Sequence, residues 1–219
     1  MSKKILMLHG LGQSGEYFCS KTKGFRQALE NEGYELVYAT APNCYTPADM
    51  PDEYSEVLEG HDDDRVHAWI EDDKNNNTYK LPQSTFDYLH DLVIQEGPFI
   101  GVVGFSQGAG VAGYLATNFN ELLNLTDEQQ PLLKFIMLFS GFRLLPQQYQ
   151  AQYDNNLITI PTLHVQGTLD TITEFSRVEE LYNSCDMQKR TFLKHGGGHY
   201  IPNSKGFLKK VTEWLNELT

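Results

Sequence analysis

Ser106, Asp170 and His199 are the residues whose types and order could carry out covalent chemistry in this chain. Ser106 stands at the centre of Gly104-Phe105-Ser106-Gln107-Gly108, a Gly-x-Ser-x-Gly pattern. An apolar run, Phe99-Ile100-Gly101-Val102-Val103, precedes it, and small residues and a helix-like segment through Asn118 follow. Strand, tight turn and helix in that order expose a serine hydroxyl at the apex of strained backbone. The spacing has a steric cause: only hydrogen fits two residues before and two after the serine, where strand and helix come closest. A helix beginning at Ser106 also aims its N-terminal amides at the reacting oxygen. The bare pattern arises by chance in glycine-containing turns, and the chain has 18 glycines in 219 residues. The flanking strand and helix are what favour a nucleophile.

A serine hydroxyl needs a base to attack, and the base needs an orienting acid. Thr162-Leu163-His164-Val165-Gln166-Gly167 reads as a buried strand, with Asp170 just beyond its end. Thr191-Phe192-Leu193 reads as the last strand, followed by Lys194-His195-Gly196-Gly197-Gly198-His199. His199, at the far end of the glycines, has the reach to take the Ser106 proton and return it to the leaving group. Asp170 would orient that imidazole and stabilise its cation. His195 is the rival base, but it lies nearer the strand and is less mobile. Nucleophile, acid and histidine in that chain order, each after a predicted strand, is the order used by α/β-hydrolases.

The developing oxyanion needs donors. Ile5-Leu6-Met7-Leu8 reads as a strand covered on both faces, ending in the loop His9-Gly10-Leu11-Gly12-Gln13-Ser14-Gly15. The backbone N–H of Leu11 and that of Gln107 are the candidate oxyanion-hole pair. Gly10, Gly12 and Gly15 match the spacing of a dinucleotide-binding loop, yet no acidic residue closes the following strand where a ribose would need one. His9, at the strand–loop junction, reads as a structural residue under the loop. Ser140, after the predicted strand Lys134–Phe139, lacks the serine-turn pattern and is treated as loop chemistry only.

The remaining elements have to bring these residues to one edge. Gly24–Glu32 and Gln83–Gln95 read as helices, Glu35–Thr40 as the second strand, and Phe207–Leu218 as a closing amphipathic helix. Alternating strands and helices predict one α/β domain, with a mainly parallel sheet flanked by helices on both faces. From Tyr45 to Pro82 the periodicity fails, and the segment reads as an irregular acidic insertion over the site. Asp49, Asp52, Glu53, Glu56, Glu59, Asp62, Asp63, Asp64, Glu71, Asp72 and Asp73 fall there, as a solvated charge run. Its apolar anchor is Val66-His67-Ala68-Trp69-Ile70. Trp69 is a candidate substrate-pocket residue, with plain packing the commoner use of such a side chain.

Bulk composition narrows the class. Hydrophobic content of 40% and charged content of 21% are those of a globular protein, and the net charge of −12 argues against nucleic-acid or anionic-membrane partners. No run reaches the length of a membrane span, and the short apolar stretch after Lys3-Lys4 is broken by His9-Gly10 before it resembles a signal peptide. Cys19, Cys44 and Cys185 lack disulfide-framework or zinc-ligand spacing, so a reduced, cytoplasmic setting is expected, with no metal.

The chain also resembles the fungal family of serine hydrolases known as the FSH family, relatives of a human ovarian-cancer-associated hydrolase. Leu8-His9-Gly10, Lys21-Thr22-Lys23-Gly24, Ala41-Pro42, Trp69, Gly97-Pro98, Gly104-Phe105-Ser106-Gln107-Gly108-Ala109, Ser140-Gly141-Phe142, Asp170 and Gly197-Gly198-His199-Tyr200-Ile201-Pro202 carry the resemblance. It implies an α/β-hydrolase fold, the triad Ser106, Asp170 and His199, and hydrolysis of small-molecule carboxylic esters or thioesters without a cofactor. Lysophospholipase or acyl-protein thioesterase activity is the nearest enzymatic alternative. A peptidase on the same triad ranks below these, and a non-catalytic binding protein on the same fold is the alternative of a different class. The sequence leaves the oligomeric state open.

Overall fold

The computed structural model describes residues 3–45 and 66–218. Most of the acidic run, Asp49 through Asp64, therefore lies outside the described residues. Six strands form one sheet: β1 (Lys3–Leu8), β2 (Tyr34–Ala39), β7 (Gly101–Phe105), β8 (Phe135–Phe139), β9 (Thr162–Gly167) and β10 (Arg190–His195). Their spatial order is β10-β9-β8-β7-β1-β2, and every neighbouring pair is parallel. The architecture is an α/β-hydrolase fold.

Unbroken apolar runs become strands here because both faces of the sheet are covered. Ile5, Met7, Val103, Phe105, Phe135, Met137 and Phe139 face one buried cluster, while Leu6, Leu8, Val102, Ile136 and Leu138 face the other. The first face is closed by α2 (Lys23–Asn31), through Phe25 and Leu29, and by α8 (Lys205–Glu217), through Phe207, Val211, Trp214 and Leu215. The second is closed by α3 (Gln83–Glu96) and α4 (Gln107–Leu115), through Leu89, Val93, Val111, Ala112 and Leu115.

Three helices were not expected from sequence: α1 (Gly15–Lys21), α6 (Gln147–Asn155) and α7 (Phe175–Asn183). The α1 helix starts because Ser14 caps it, its hydroxyl accepting from Tyr17 N at 3.1 Å. The α6 sequence is largely polar, and only Tyr149 and Tyr153, one turn apart, are buried. The α4 helix stops at Leu115, short of the predicted Asn118, and a short helix that was also not expected, α5 (Phe119–Leu122), follows it.

The described part of the 45–82 segment is more ordered than an irregular insertion. The strands β3 (Asn43–Tyr45) and β4 (Val66–Ala68) pair antiparallel, as do β5 (Glu71–Asp73) and β6 (Thr78–Lys80). Three-residue strands are too short for a two-residue alternation to be visible in sequence.

In-register pairing aligns the carboxyl ends of the main strands: Leu8 opposes Gly104, Phe105 opposes Phe139, Phe139 opposes Val165, and Gly167 opposes His195. The residues after those ends therefore share one edge, where open α/β sheets bind their ligands.

Candidate active site

At the end of β7 the chain turns through Ser106 with φ 53° and ψ −116°, and α4 begins at the next residue. This conformation costs a non-glycine residue on the order of 1–3 kcal/mol, so the surrounding packing has to impose it. Two glycines allow that packing. A Cβ on Gly104 would collide with the backbone of Ala109, and one on Gly108 with the carbonyl oxygens of Leu8 and His9. Ser106 N donates to Phe139 O at 2.8 Å, extending the ladder into the turn. At the end of β8, Ser140 repeats the device, with φ 49° and its N–H on Val165 O at 2.8 Å.

Asp170 lies in the tight turn after β9, its N–H on Gly167 O. Its side chain is fully buried and saturated with donors. Oδ1 accepts from Ile172 N and Thr173 N, each at 3.0 Å. Oδ2 accepts from Ser140 Oγ at 2.7 Å and from His199 Nδ1 at 2.9 Å. Burial pushes this carboxyl up, but the bonds from His199, Thr173 and Ser140 outweigh it and hold the group at about 2. An ionised acceptor at Nδ1 fixes the proton there, leaving Nε2 as the basic nitrogen of His199.

The loop that carries His199 is tied to the Asp170 turn by Thr168 N on His195 O and Leu169 N on Gly197 O. The two loops touch so closely that a Cβ on Gly167 would strike the carbonyls of Gly197 and Gly198. The His199 ring leans on Phe105, with centroids 4.8 Å apart. His195 points elsewhere. It packs against Tyr200 and Phe207, its Nδ1 accepts from Gly197 N, and burial lowers its pKa.

Ser106, His199, Leu11 and Gln107 line one cavity of about 550 Å3. The loop's bonds run from Gly10 N to Gln13 Oε1 and from Gln13 N to Gly10 O within it, and from Gly12 N out to His67 O on β4. Among the described residues these leave the Leu11 N–H unpaired, and Gln107, the first residue of α4, has an N–H with no helical acceptor.

Trp69 does not line this cavity: it is completely buried beneath it. Its Nε1 donates to His9 O at 2.9 Å, and its backbone N–H donates to Gln107 Oε1 at 2.7 Å, with Ile70 N on the same oxygen at 3.3 Å. Trp69 thus bridges, through its indole on one side and its backbone N–H on the other, the chain segments that carry Leu11 and Gln107. A large aromatic with one polar atom is suited to this, filling core space while satisfying a buried carbonyl. Thr85 Oγ1 donates to Trp69 O at 2.7 Å and anchors the far side. His9 completes the brace: Ala41 N donates to its Nε2 at 2.9 Å, and its Nδ1 donates to Gly10 O at 2.7 Å. Burial lowers its pKa to about 4, so it is neutral with one tautomer fixed.

Two parts of the site were not assigned from sequence: the Ser140 hydroxyl on Asp170, and the clamp on the Gln107 side chain. The only sequence sign of the first was its place at the end of a predicted strand.

A hydroxyl on a strained turn, an imidazole with a fixed tautomer on a buried carboxylate, and unpaired backbone donors in one cavity can carry out acyl transfer.

Comparison with known proteins agrees with this chemistry. A family model described as serine hydrolase (FSH1) matches residues 1–211. The chain is 59% identical to Family of serine hydrolases 2 of Saccharomyces cerevisiae over the full length of both. It is 44% identical to Family of serine hydrolases 3 of the same yeast, over 99% of this chain and 85% of the other. With Esterase OVCA2 of Danio rerio it shares 28% identity over 97% of this chain and 96% of the other. Among solved structures, Zea mays acyl-protein thioesterase 2 superposes with a TM-score of 0.64 at 20% identity, covering 99% of this chain and 94% of that one. Arabidopsis thaliana SOBER1 superposes with a TM-score of 0.66 at 20% identity, covering 100% and 99%. At that identity these two speak for the fold alone. The full-length match to the yeast proteins and to the family model settles the family, and the chain belongs to the FSH1 family of serine hydrolases.

Proposed function

We propose that the protein hydrolyses small-molecule carboxylic esters or thioesters through an acyl-enzyme on Ser106. His199 Nε2 takes the Ser106 proton as Oγ attacks the carbonyl carbon, and the tetrahedral oxyanion is met by the N–H groups of Leu11 and Gln107. Collapse expels the alcohol or thiol, which leaves with the proton from His199. Water, deprotonated by His199, then attacks the acyl-enzyme and releases the acid and Ser106. Asp170 stays ionised throughout and stabilises the imidazolium.

The observation that carries this reading is the fully buried Asp170 carboxylate on His199 Nδ1, at a cavity shared with the strained Ser106. The cavity's size suits a small organic ligand. The esterase and thioesterase names of the relatives favour acyl transfer, and the free thiols of Cys19, Cys44 and Cys185 suit a reducing cytoplasm. Among the described residues no helix is long and apolar enough to cross a membrane.

Rapid acid quench of a reaction with p-nitrophenyl octanoate tests the proposal. The peptide containing Ser106 should gain the mass of one octanoyl group while one equivalent of nitrophenol is released in a burst. Turnover with no acyl group on that peptide would contradict it. Lysophospholipids and acylated peptides, compared by kcat/KM with simple aryl esters and thioesters, separate the narrower activities.

A further inference from the structure

The cavity holds a cation that the acyl-transfer chemistry does not use. Arg177, on the first turn of α7, is half-buried and lines the same cavity as Ser106 and His199. Its guanidinium carbon sits 4.2 Å from the centroid of Phe142, which also lines the cavity. Its head is hydrogen-bonded to the Tyr79 phenol, whose oxygen also accepts from Leu145 N at 2.8 Å. The backbone fixes its base, with Arg177 N on Glu174 O at 3.1 Å and Arg143 N on Arg177 O.

Other arginines are used structurally. Arg143 bonds Gln150, Ser184 and Asp154, and Arg190 bonds Tyr182 O and the Asn183 side chain. Among the described residues no carboxylate lies within ion-pair distance of Arg177. In a protein of net charge −12, a positioned guanidinium left without a carboxylate at a reactive cavity calls for an anion from outside.

We infer that Arg177 is a specificity-determining residue that binds a free carboxylate on the substrate, so that the enzyme prefers half-esters or half-thioesters of dicarboxylic acids. A guanidinium is planar, and held over an aromatic ring it can still meet a carboxylate with two parallel bonds. Glu71 and Asp72 also line the cavity, with Glu71 paired to Lys80 at 3.4 Å. Lys74 lines the cavity as well, so the charge around Arg177 is mixed, and a singly charged carboxylate is the group whose two oxygens match a guanidinium. Placing it on the acyl part keeps its binding energy available through both half-reactions. The chemistry rests on the acyl-enzyme reading above, whereas the recognition can be measured without it.

Two measurements separate them. In the first, wild-type protein is given the p-nitrophenyl monoesters of succinate, adipate and suberate beside the same esters with the far carboxylate methylated. At the best-fitting length, kcat/KM should favour the free acid by about 10-fold or more, and Arg177→Met should reduce that ratio at least ~10-fold. Arg177→Lys should restore only part of it, since an ammonium lacks the two-pronged edge. In the second, Ser106→Ala, which cannot turn over, is titrated calorimetrically with monomethyl and dimethyl suberate. It should bind the monoester at least ~10-fold more tightly, with the preference lost when Arg177→Met is added. Absence of turnover by the wild type together with that binding preference would refute the hydrolase reading and leave the recognition standing. Equal wild-type handling of charged and capped esters would overturn the assignment, as would an Arg177→Met ratio equal to wild type. Tighter binding of monomethyl suberate's ω-phosphate counterpart would overturn the choice of a carboxylate.

Discussion

Asp170 and His199 are held on one side of the cavity by charge, whereas the segments carrying Leu11 and Gln107 are held on the other by neutral groups. Five contacts converge on one buried carboxylate, from Ser140, Ile172, Thr173 and both oxygens' approach to His199 Nδ1. Across the cavity, an indole, a neutral imidazole and an amide oxygen link three stretches of chain through backbone groups. The charged half sets the state of a proton; the neutral half sets the position of two N–H groups. Changes in the first should therefore act on the pH profile and the rate, and changes in the second on the rate with the pH profile kept.

The largest effect that sharpens this contrast is expected from Asp170→Asn. The amide still fits among Ser140, Ile172 and Thr173, but it no longer fixes the His199 tautomer. A loss of about 10^4-fold in kcat with a modest change in KM is expected. An effect below tenfold would mean the charge on this side is dispensable.

On the neutral side, Gln107→Ala removes the oxygen that grips Trp69 N and Ile70 N, leaving the Gln107 N–H in place but unbraced. A fall in kcat of about 10-fold is expected, less than the ~10^2–10^3 that follows loss of an oxyanion donor itself. The kinetic pKa values should not move. Trp69→Phe, which keeps the ring and loses the bond to His9 O, should cost about 1–3 kcal/mol of stability, measured by urea melts, since a buried carbonyl is left unpaired.

Between these lies Ser140→Ala. It removes one donor from Asp170 without touching His199, so the Asp170 pKa should rise from about 2, with stability lower by about 1 kcal/mol. Carbon-13 NMR of the carboxyl resolves the shift, and a lowered pKa would contradict the account.

Stability against pH also distinguishes the halves. His9 has a folded pKa depressed to about 4 from 6.5, so the unfolded chain binds its proton first and stability is lost as pH falls from 6.5 towards 4. His164, buried and lowered to about 3, adds to that slope. The depressed Asp170 acts later, its contribution being present above 3.8 and lost as pH falls through about 2. In a His9→Asn variant the slope of stability with pH between 4 and 6.5 should flatten by at most about 1.4 kcal/mol per pH unit. An unchanged slope would remove His9 from the brace.

How much of this was legible in the sequence follows from the range of the forces involved. The glycines around Ser106 were readable because the collisions that demand them are with residues beside the same turn or on the neighbouring strand. Ser106, Asp170 and His199 were readable as candidates because each follows an apolar run that becomes a strand. The brace was not, because Trp69 meets Gln107 and His9 across 38 and 60 residues, partly through backbone groups that any residue possesses. Hence Trp69 stood as a pocket candidate beside plain packing, and the packed reading is the one its complete burial matches. Ser140 was passed over because nothing in its residue type marks a positive φ, and its acceptor lies 30 residues away. Helix α6 escaped because two tyrosines in a polar segment make a weak apolar stripe.

The most direct measurement of the central claim is fluorophosphonate labelling of wild-type protein beside Ser106→Ala, His199→Ala and His195→Ala, each first checked for folding by circular dichroism. The account predicts rapid labelling of wild type at Ser106, its loss in Ser106→Ala, a fall of at least ~10^3-fold in rate for His199→Ala, and labelling of His195→Ala at close to the wild-type rate. Labelling that survives in Ser106→Ala, or that depends on His195 and not on His199, would contradict it.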